Sequence, residues 1–270
     1  MQHHYYHYFQ AQLSRKKFSL VAILMAVMSF FSSSLHAVND DIALVWQAQG
    51  EKSFDIFYSN FINDEWTEPF AVTQNKLNDA TPAIVGDAQG NHWVMWSEAN
   101  GELATSLVYR VKEAGENSWS DPKVFETGLE SNSLPSLLRD KSGQIWCFWA
   151  GVDGEDDEIY YSRFIAGKWQ KPTRINPQDN KVPDILPQPT LKDGKPSVTW
   201  LGFDTTSRKY RHFRTDWDGK NWTKPRIEVV SPFSAKTLDK KIKIPAEIST
   251  DLFSLYDKRR YPNEAFYFGR

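Results

Sequence analysis

Four short segments decide how this sequence is read: Trp66-Thr67-Glu68-Pro69, Trp119-Ser120-Asp121-Pro122, Trp169-Gln170-Lys171-Pro172 and Trp222-Thr223-Lys224-Pro225. They recur at steps of 53, 50 and 53 residues. A second register keeps the same beat, in apolar runs ending at Trp46, Trp96, Trp149 and Trp200. A third consists of aromatic runs centred on Tyr58, Tyr109, Tyr161 and Phe213. Three registers sharing one period of about 52 residues mark an internal repeat, and such periods belong to arrays of one supersecondary unit.

Within a unit the local pattern is strand. Trp93-Val94-Met95-Trp96 and Ile159-Tyr160-Tyr161 are short β-branched or aromatic runs bounded by Gly, Asn and Asp, and no 11-residue stretch beyond the first 37 holds a 3.6-residue period. Each unit reads as four strands. Strand A follows a proline (Pro82-Ala83-Ile84-Val85), the turn Asp87-Ala88-Gln89-Gly90 leads to strand B ending at Trp96, strand C carries Tyr109, and strand D begins at the Trp-x-x-Pro. Proline is tolerated in strand D if D is an outer edge, where a missing N–H costs no ladder bond. Four antiparallel strands repeated at this period predict a β-propeller.

Counting units outward gives starts at Pro82, Pro135 and Pro187, and a degenerate fifth near Pro245 whose Glu264-Ala265-Phe266-Tyr267 matches Asp55-Ile56-Phe57-Tyr58. The expectation is five blades. The alternative is four, with Ala246 to Ser249 supplying the innermost strand of the first unit and the last twenty residues forming a tail. Either way the first and last units should meet, because an open array leaves strand edges exposed.

The stretch Tyr161-Ser162-Arg163-Phe164-Ile165-Ala166-Gly167-Lys168-Trp169, with Tyr58-Ser59 through Trp66 and Thr215 through Gly219 to Trp222, resembles the bacterial neuraminidase repeat, or Asp box, Ser-x-Asp-x-Gly-x-Thr-Trp. The resemblance extends over nearly all of residues 38–270 and implies a sialidase-like β-propeller. Phe164 and Trp217 stand where the box has its aspartate, and the Arg-Ile-Pro motif of family sialidases is absent, the nearest string being Arg174-Ile175-Asn176. The resemblance therefore carries over no catalytic residue.

The N-terminus reads differently. Arg15, Lys16 and Lys17 precede a mostly apolar run from Phe18 to Phe31, then Ser32-Ser33-Ser34-Leu35-His36-Ala37. This is the layout of a secretory signal peptide, with an apolar core shorter than the roughly 20 residues of a spanning helix. We expect a leader over 1–37, a single propeller domain over 38–270, a periplasmic or secreted location, and no membrane insertion after cleavage. The 32 basic and 34 acidic residues offer no broad positive field, which argues against nucleic acid as a partner. Cys147 is the single cysteine, so no internal disulfide and no cysteine-based zinc site is possible.

In an A-B-C-D blade the B–C and D–A loops share one face. Because these loops vary between units, that face is the expected mouth. Asp79, Asn132 and Asp184 each lie three residues before the proline of strand A. They read either as acceptors for ligand hydroxyls around a central opening or as Asx turns that start the strand. Glu98, Asp153, Asp157, Asp204, Arg208 and His212 differ between units on the same face and complete the expected ligand-binding set. The acidic run Asp153-Gly154-Glu155-Asp156-Asp157-Glu158 has the oxygen ligands Ca²⁺ takes but not the spacing of the helix–loop–helix calcium loop, so no cofactor is expected. The repeated tryptophans read as packing between blades, since a residue needed in every unit serves the unit. Two functions remain: a non-catalytic module binding a glycan or another extracellular ligand, or a sialidase-type glycoside hydrolase with a diverged site.

Overall fold

The computed structural model describes residues 42–101, 104–177, 181–229, 242–245, 248, 253–260, 262 and 263, and the backbone of 265–268. The expected leader lies outside these residues. The first sheet contains β1 (Ile42–Gln49), β2 (Phe54–Ile62), β3 (Glu65–Trp66) and β4 (Phe70–Ala71). The second contains β5 (Asp79–Gly86), β6 (His92–Ala99), β7 (Thr105–Lys112) and β8 (Lys123–Phe125). The third contains β9 (Ser131–Arg139), β10 (Ile145–Val152), β11 (Asp157–Ile165), β12 (Lys168–Trp169) and β13 (Thr173–Arg174). The fourth contains β14 (Ile185–Lys192), β15 (Lys195–Asp204), β16 (Lys209–Asp216) and β17 (Arg226–Ile227). Two C-terminal strands, β18 (Phe253–Asp257) and β19 (Ala265–Phe268), complete the set. Every pairing is antiparallel, and β18, β5, β9 and β14 are successive inner neighbours, as in propeller blades.

The prolines sit where edge-strand chemistry puts them. Pro69, Pro122, Pro172 and Pro225 immediately precede β4, β8, β13 and β17, each on the outer margin of its sheet. In the first and third sheets the outer strand is split there, with Trp66 and Trp169 on the short piece before the proline.

The described residues form four sheets, where five blades were expected. β18 pairs with β1 from Ile42↔Asp257 to Trp46↔Phe253, and β19 adds to the inner side of β18. The segment read as a fifth unit is thus the inner margin of the first sheet. The alternative of four units places an inner strand at Ala246 to Ser249, which lie outside the described residues except for Ile248; the strand paired with β1 is β18, and the last twenty residues hold both β18 and β19. A run such as Ala265-Phe266-Tyr267 has the alternation of a strand whichever slot it fills, so pattern alone misplaced it. The driving force is the edge of β1, whose unpaired N–H and C=O groups need a partner.

Apolar clusters weld each sheet to the next. Val45, Tyr58, Ile84 and Trp96 join the first two, Met95, Leu137, Cys147 and Trp149 the second and third, and Trp146, Phe148, Val198 and Trp200 the third and fourth. The outer face of the fourth sheet breaks the series. Ser197, Thr199 and Arg214 stand there at the positions of Trp146, Phe148 and Tyr161 in the third sheet. Its packing face is replaced by polar groups, of which Ser197 and Thr199 are buried. The matching apolar face of the first sheet (Leu44, Trp46, Phe61) is covered by Ile242, Ile244 and Ile248, with the Trp66 indole donating to the Lys243 carbonyl at 2.9 Å.

The hydroxyl repeated in the third strand of three units is a staple. Ser59, Ser162 and Thr215 donate to the carbonyls of Thr67, Gln170 and Thr223 at 2.7, 2.6 and 2.5 Å, tying strand C to the residue after the tryptophan. Ser162→Ala should lower the unfolding free energy by about 1 kcal/mol, the net worth of one hydrogen bond. Urea denaturation measures this, and an unchanged midpoint would show the staple to be idle.

Candidate functional site

The innermost strands of the second, third and fourth sheets carry the same irregularity. Thr81, Leu134 and Leu186 have φ of 51°, 53° and 57°, each two residues after Asp79, Asn132 or Asp184 and just before a proline. The strand register breaks at all three places. Left-handed backbone at a non-glycine residue costs about 1 kcal/mol and persists only where its surroundings impose it. Here they do. The bulge leaves the preceding polar side chain beneath a tryptophan, and Trp96, Trp149 and Trp200 donate their indole N–H to Asp79 Oδ1, Asn132 Oδ1 and Asp184 Oδ2 at 2.8, 2.9 and 2.9 Å. All three acceptors are buried. The trio therefore latches the inner strands to the packing tryptophans, and β19 lies alongside β18 on the side read from sequence as a central opening.

Against this repeated latch one unit stands out. The residue across the ladder from the acceptor is Gly151 in the third sheet and Gly202 in the fourth, where an added Cβ would lie 2.5 Å from Asp184 Oδ1. In the second sheet the residue opposite Asp79 is Glu98. Two carboxyl groups face each other directly, an arrangement that is destabilising when both are charged. Asn75, in the D–A loop, donates Nδ2 to Asp79 Oδ2 and to Glu98 Oε2, both at 3.1 Å. Burial, with the Glu98 charge adding to it, lifts Asp79 to about 6, although the Thr73 hydroxyl and the Trp96 indole pull the other way. Burial also raises Glu98, which remains partly exposed. Nearby, Thr73 Oγ1 donates to the buried Asp55 at 3.2 Å, and the Thr81 amide donates to Gln47 Oε1 at 2.9 Å. Asp55, Thr73 and Asn75 were not among the residues expected from sequence. The signal for Glu98 was present in the repeat itself: Trp-x-Gly in two units against Trp96-Ser97-Glu98 in one.

The other expected residues fall on separate parts of the same face. Asp153 Oδ2 accepts from the Tyr160 hydroxyl at 2.6 Å and from Arg174 Nη2 at 3.3 Å, and Arg174 also meets Glu158 at 3.5 Å. Burial and then Asp153 push the Tyr160 phenol up to about 12. Asp157 is half-buried, raised by burial, and its carbonyl accepts the Asp184 amide at 2.7 Å. Glu155 pairs with Lys181 at 3.4 Å. The acidic run is thus partly neutralised by Arg174 and Lys181, and among the described residues no group of three His, Cys, Asp or Glu side chains converges as a metal site. Asp204 caps its own turn, accepting from the Thr206 and Ser207 amides at 3.0 and 3.2 Å. Arg208 ends that turn with φ 54°, and His212 lies opposite Leu201 in the ladder. His92 is buried, with its Nδ1 2.8 Å from the Tyr58 hydroxyl, in the interface of the first two sheets.

No protein-family model matches the sequence, and no curated protein matches it significantly. Solved structures do. The α-L-arabinanase of Penicillium chrysogenum, solved with arabinobiose, superposes with a TM-score of 0.53 at 12% identity, over 87% of this chain and 79% of that one. The endo-arabinase of Bacteroides thetaiotaomicron gives 0.50 at 13% identity, over 85% and 89%. A Dyadobacter fermentans protein of unknown function gives 0.46 at 18% identity over 56% of this chain, which spans about half, 54%, of that protein's length. At these identities the likeness establishes a β-propeller fold and nothing finer.

Proposed function

We propose that this chain is an exported, non-catalytic propeller that binds carbohydrate on the face of its B–C and D–A loops. The observation that carries this reading is the fate of the inner polar residues. Asp79, Asn132 and Asp184 are buried and each holds an indole, so the innermost acids are committed to the fold. Hydrolysis of a glycosidic bond requires two carboxyl groups about 5–10 Å apart across a space the sugar can enter. Asp79 is sealed from solvent and shares the Asn75 amide with Glu98, an arrangement suited to holding a hydroxyl at Glu98 rather than to cleaving a bond. The reading is supported by the fold shared with arabinanases. The Ser59, Ser162 and Thr215 staples and the Trp-x-x-Pro period favour the sialidase-like branch of that architecture.

One observation favours hydrolysis. Glu98 is raised by burial, against the hydrogen bond from Asn75, and a carboxyl shifted in that direction is the usual general acid. Fluorogenic glycosides, sialic acid first and arabinofuranose next, assayed beside a glycan array, separate the two. We expect array binding without turnover, and about tenfold weaker binding for Glu98→Gly, which recreates the residue of the third and fourth sheets. Turnover that disappears in Glu98→Gln would overturn the binding-only reading. Export is tested independently by N-terminal sequencing of secreted material, which should begin near Val38.

A further inference from the structure

We propose that the tip of the β15–β16 hairpin docks an anionic polysaccharide, one whose sugars carry carboxylate or sulfate groups. The inference rests on the carbohydrate-binding reading and names the charge class of its ligand. Arg208, Lys209 and Arg211 are all exposed, and among the described residues no ion pair holds any of them. Elsewhere on the same sheet Lys195 donates to the Asp218 carbonyl at 2.5 Å, and the other cations form ion pairs. Lys192, Arg214 and Arg226 meet Asp216 at 2.9, 3.3 and 2.9 Å, and Arg214 also meets Glu228 at 3.3 Å. Three unpaired cations within four residues on one turn are therefore a local exception on this sheet.

The tip is also held rigid, which lowers the cost of binding. The ladder runs unbroken from Ser197↔Asp216 to Asp204↔Lys209, and β15 is ten residues long where β6 and β10 have eight. Asp204, the acid nearest these cations, spends its oxygens on the Thr206 and Ser207 amides and the Ser207 hydroxyl, which accounts for its lowered proton affinity better than any cation does. Tyr210 is 46% exposed and braced edge-on by Phe203, with centroids 5.6 Å apart. Cations at the turn and on one side of the hairpin, with a fixed aromatic ring on the other, match a chain that alternates charge and sugar face. Nucleic acid fits less well, since the chain as a whole has a net charge of −2 and lacks the extended positive field that phosphate backbones require.

The test measures binding of the purified protein to polygalacturonate, dextran sulfate and uncharged arabinan at 50 and 300 mM NaCl. Arg208→Gln/Lys209→Gln/Arg211→Gln and Tyr210→Ala are compared with the parent, with the melting temperature checked for each. We expect both anionic polymers to bind at low salt and to lose at least tenfold in affinity at 300 mM. The triple substitution should lose at least tenfold with its melting temperature unchanged, and Tyr210→Ala about threefold. If arabinan binds as well as the anionic polymers and the triple variant retains all binding, this inference fails and the carbohydrate reading stands. If no polysaccharide binds, charged or neutral, both fail. Tighter binding to duplex DNA or to phosphatidylglycerol vesicles than to polygalacturonate, abolished by the same triple substitution, would overturn the partner while keeping the surface.

Discussion

Trp149→Ala is expected to lower the unfolding free energy by about 3–5 kcal/mol, enough to leave little folded protein if the parent has ordinary stability. The side chain is completely buried, its ring meets Phe125 at 5.3 Å and Tyr160 at 5.9 Å, and its N–H satisfies Asn132. Truncation opens a large cavity between the second and third sheets and at the same time strands a buried amide oxygen. Trp149→Phe separates these effects. It restores most of the apolar volume but leaves Asn132 Oδ1 without its donor, for a cost of about 1–3 kcal/mol. Urea or thermal unfolding of the two variants measures both. Equal losses for Phe and Ala would mean that the hydrogen bond dominates. A Phe variant indistinguishable from the parent would mean the latch adds nothing to packing.

Asp79→Asn is expected to stabilise the protein relative to the parent at neutral pH and to lose that advantage in acid. Asp79 is raised to about 6 from an ordinary 3.8, so the native state holds its proton more tightly than the unfolded chain does. The stability this group contributes is full below about pH 4 and falls as pH rises through 6. A shift of about two units corresponds to roughly 3 kcal/mol at most. The difference in unfolding free energy between variant and parent should therefore be about 2–3 kcal/mol more favourable to the variant at pH 7.5 than at pH 4. Glu98 adds a share of the same sign, which Glu98→Gln isolates. Asparagine suits the position, because Asn132 already performs the same task beneath Trp149. A variant that differs from the parent by the same amount at both pH values would show that Asp79 ionises normally when folded.

How much of the site could be read in advance follows from the same residues. Asp79, Asn132 and Asp184 were visible as a repeated polar residue before a proline, and the choice between ligand contact and strand start was open. What settled their environment was the left-handed turn at Thr81, Leu134 and Leu186, which no propensity anticipates at β-branched or leucine residues. Glu98 was visible as a difference between units, but its significance needed the ladder that sets it opposite Asp79. Asn75 arrives from the D–A loop and Asp55 from the start of β2, and neither had a local signature.

The sequence by itself determined the strand content, the 52-residue unit, the outer position of the Trp-x-x-Pro strand, and the burial of Trp46, Trp96, Trp149 and Trp200. These are consequences of period, alternation and proline chemistry, which act over a few residues and are written in every unit. Only the tertiary structure decided how many sheets there are and what covers their ends. β18 joins β1 across more than 200 residues of chain, and Ile242, Ile244 and Ile248 cover the first sheet while the fourth carries Ser197, Thr199 and Arg214 at the matching positions. A strand's own side chains specify which of its faces is apolar but not which edge it will pair with. That choice belongs to whichever distant backbone is left with unsatisfied hydrogen bonds.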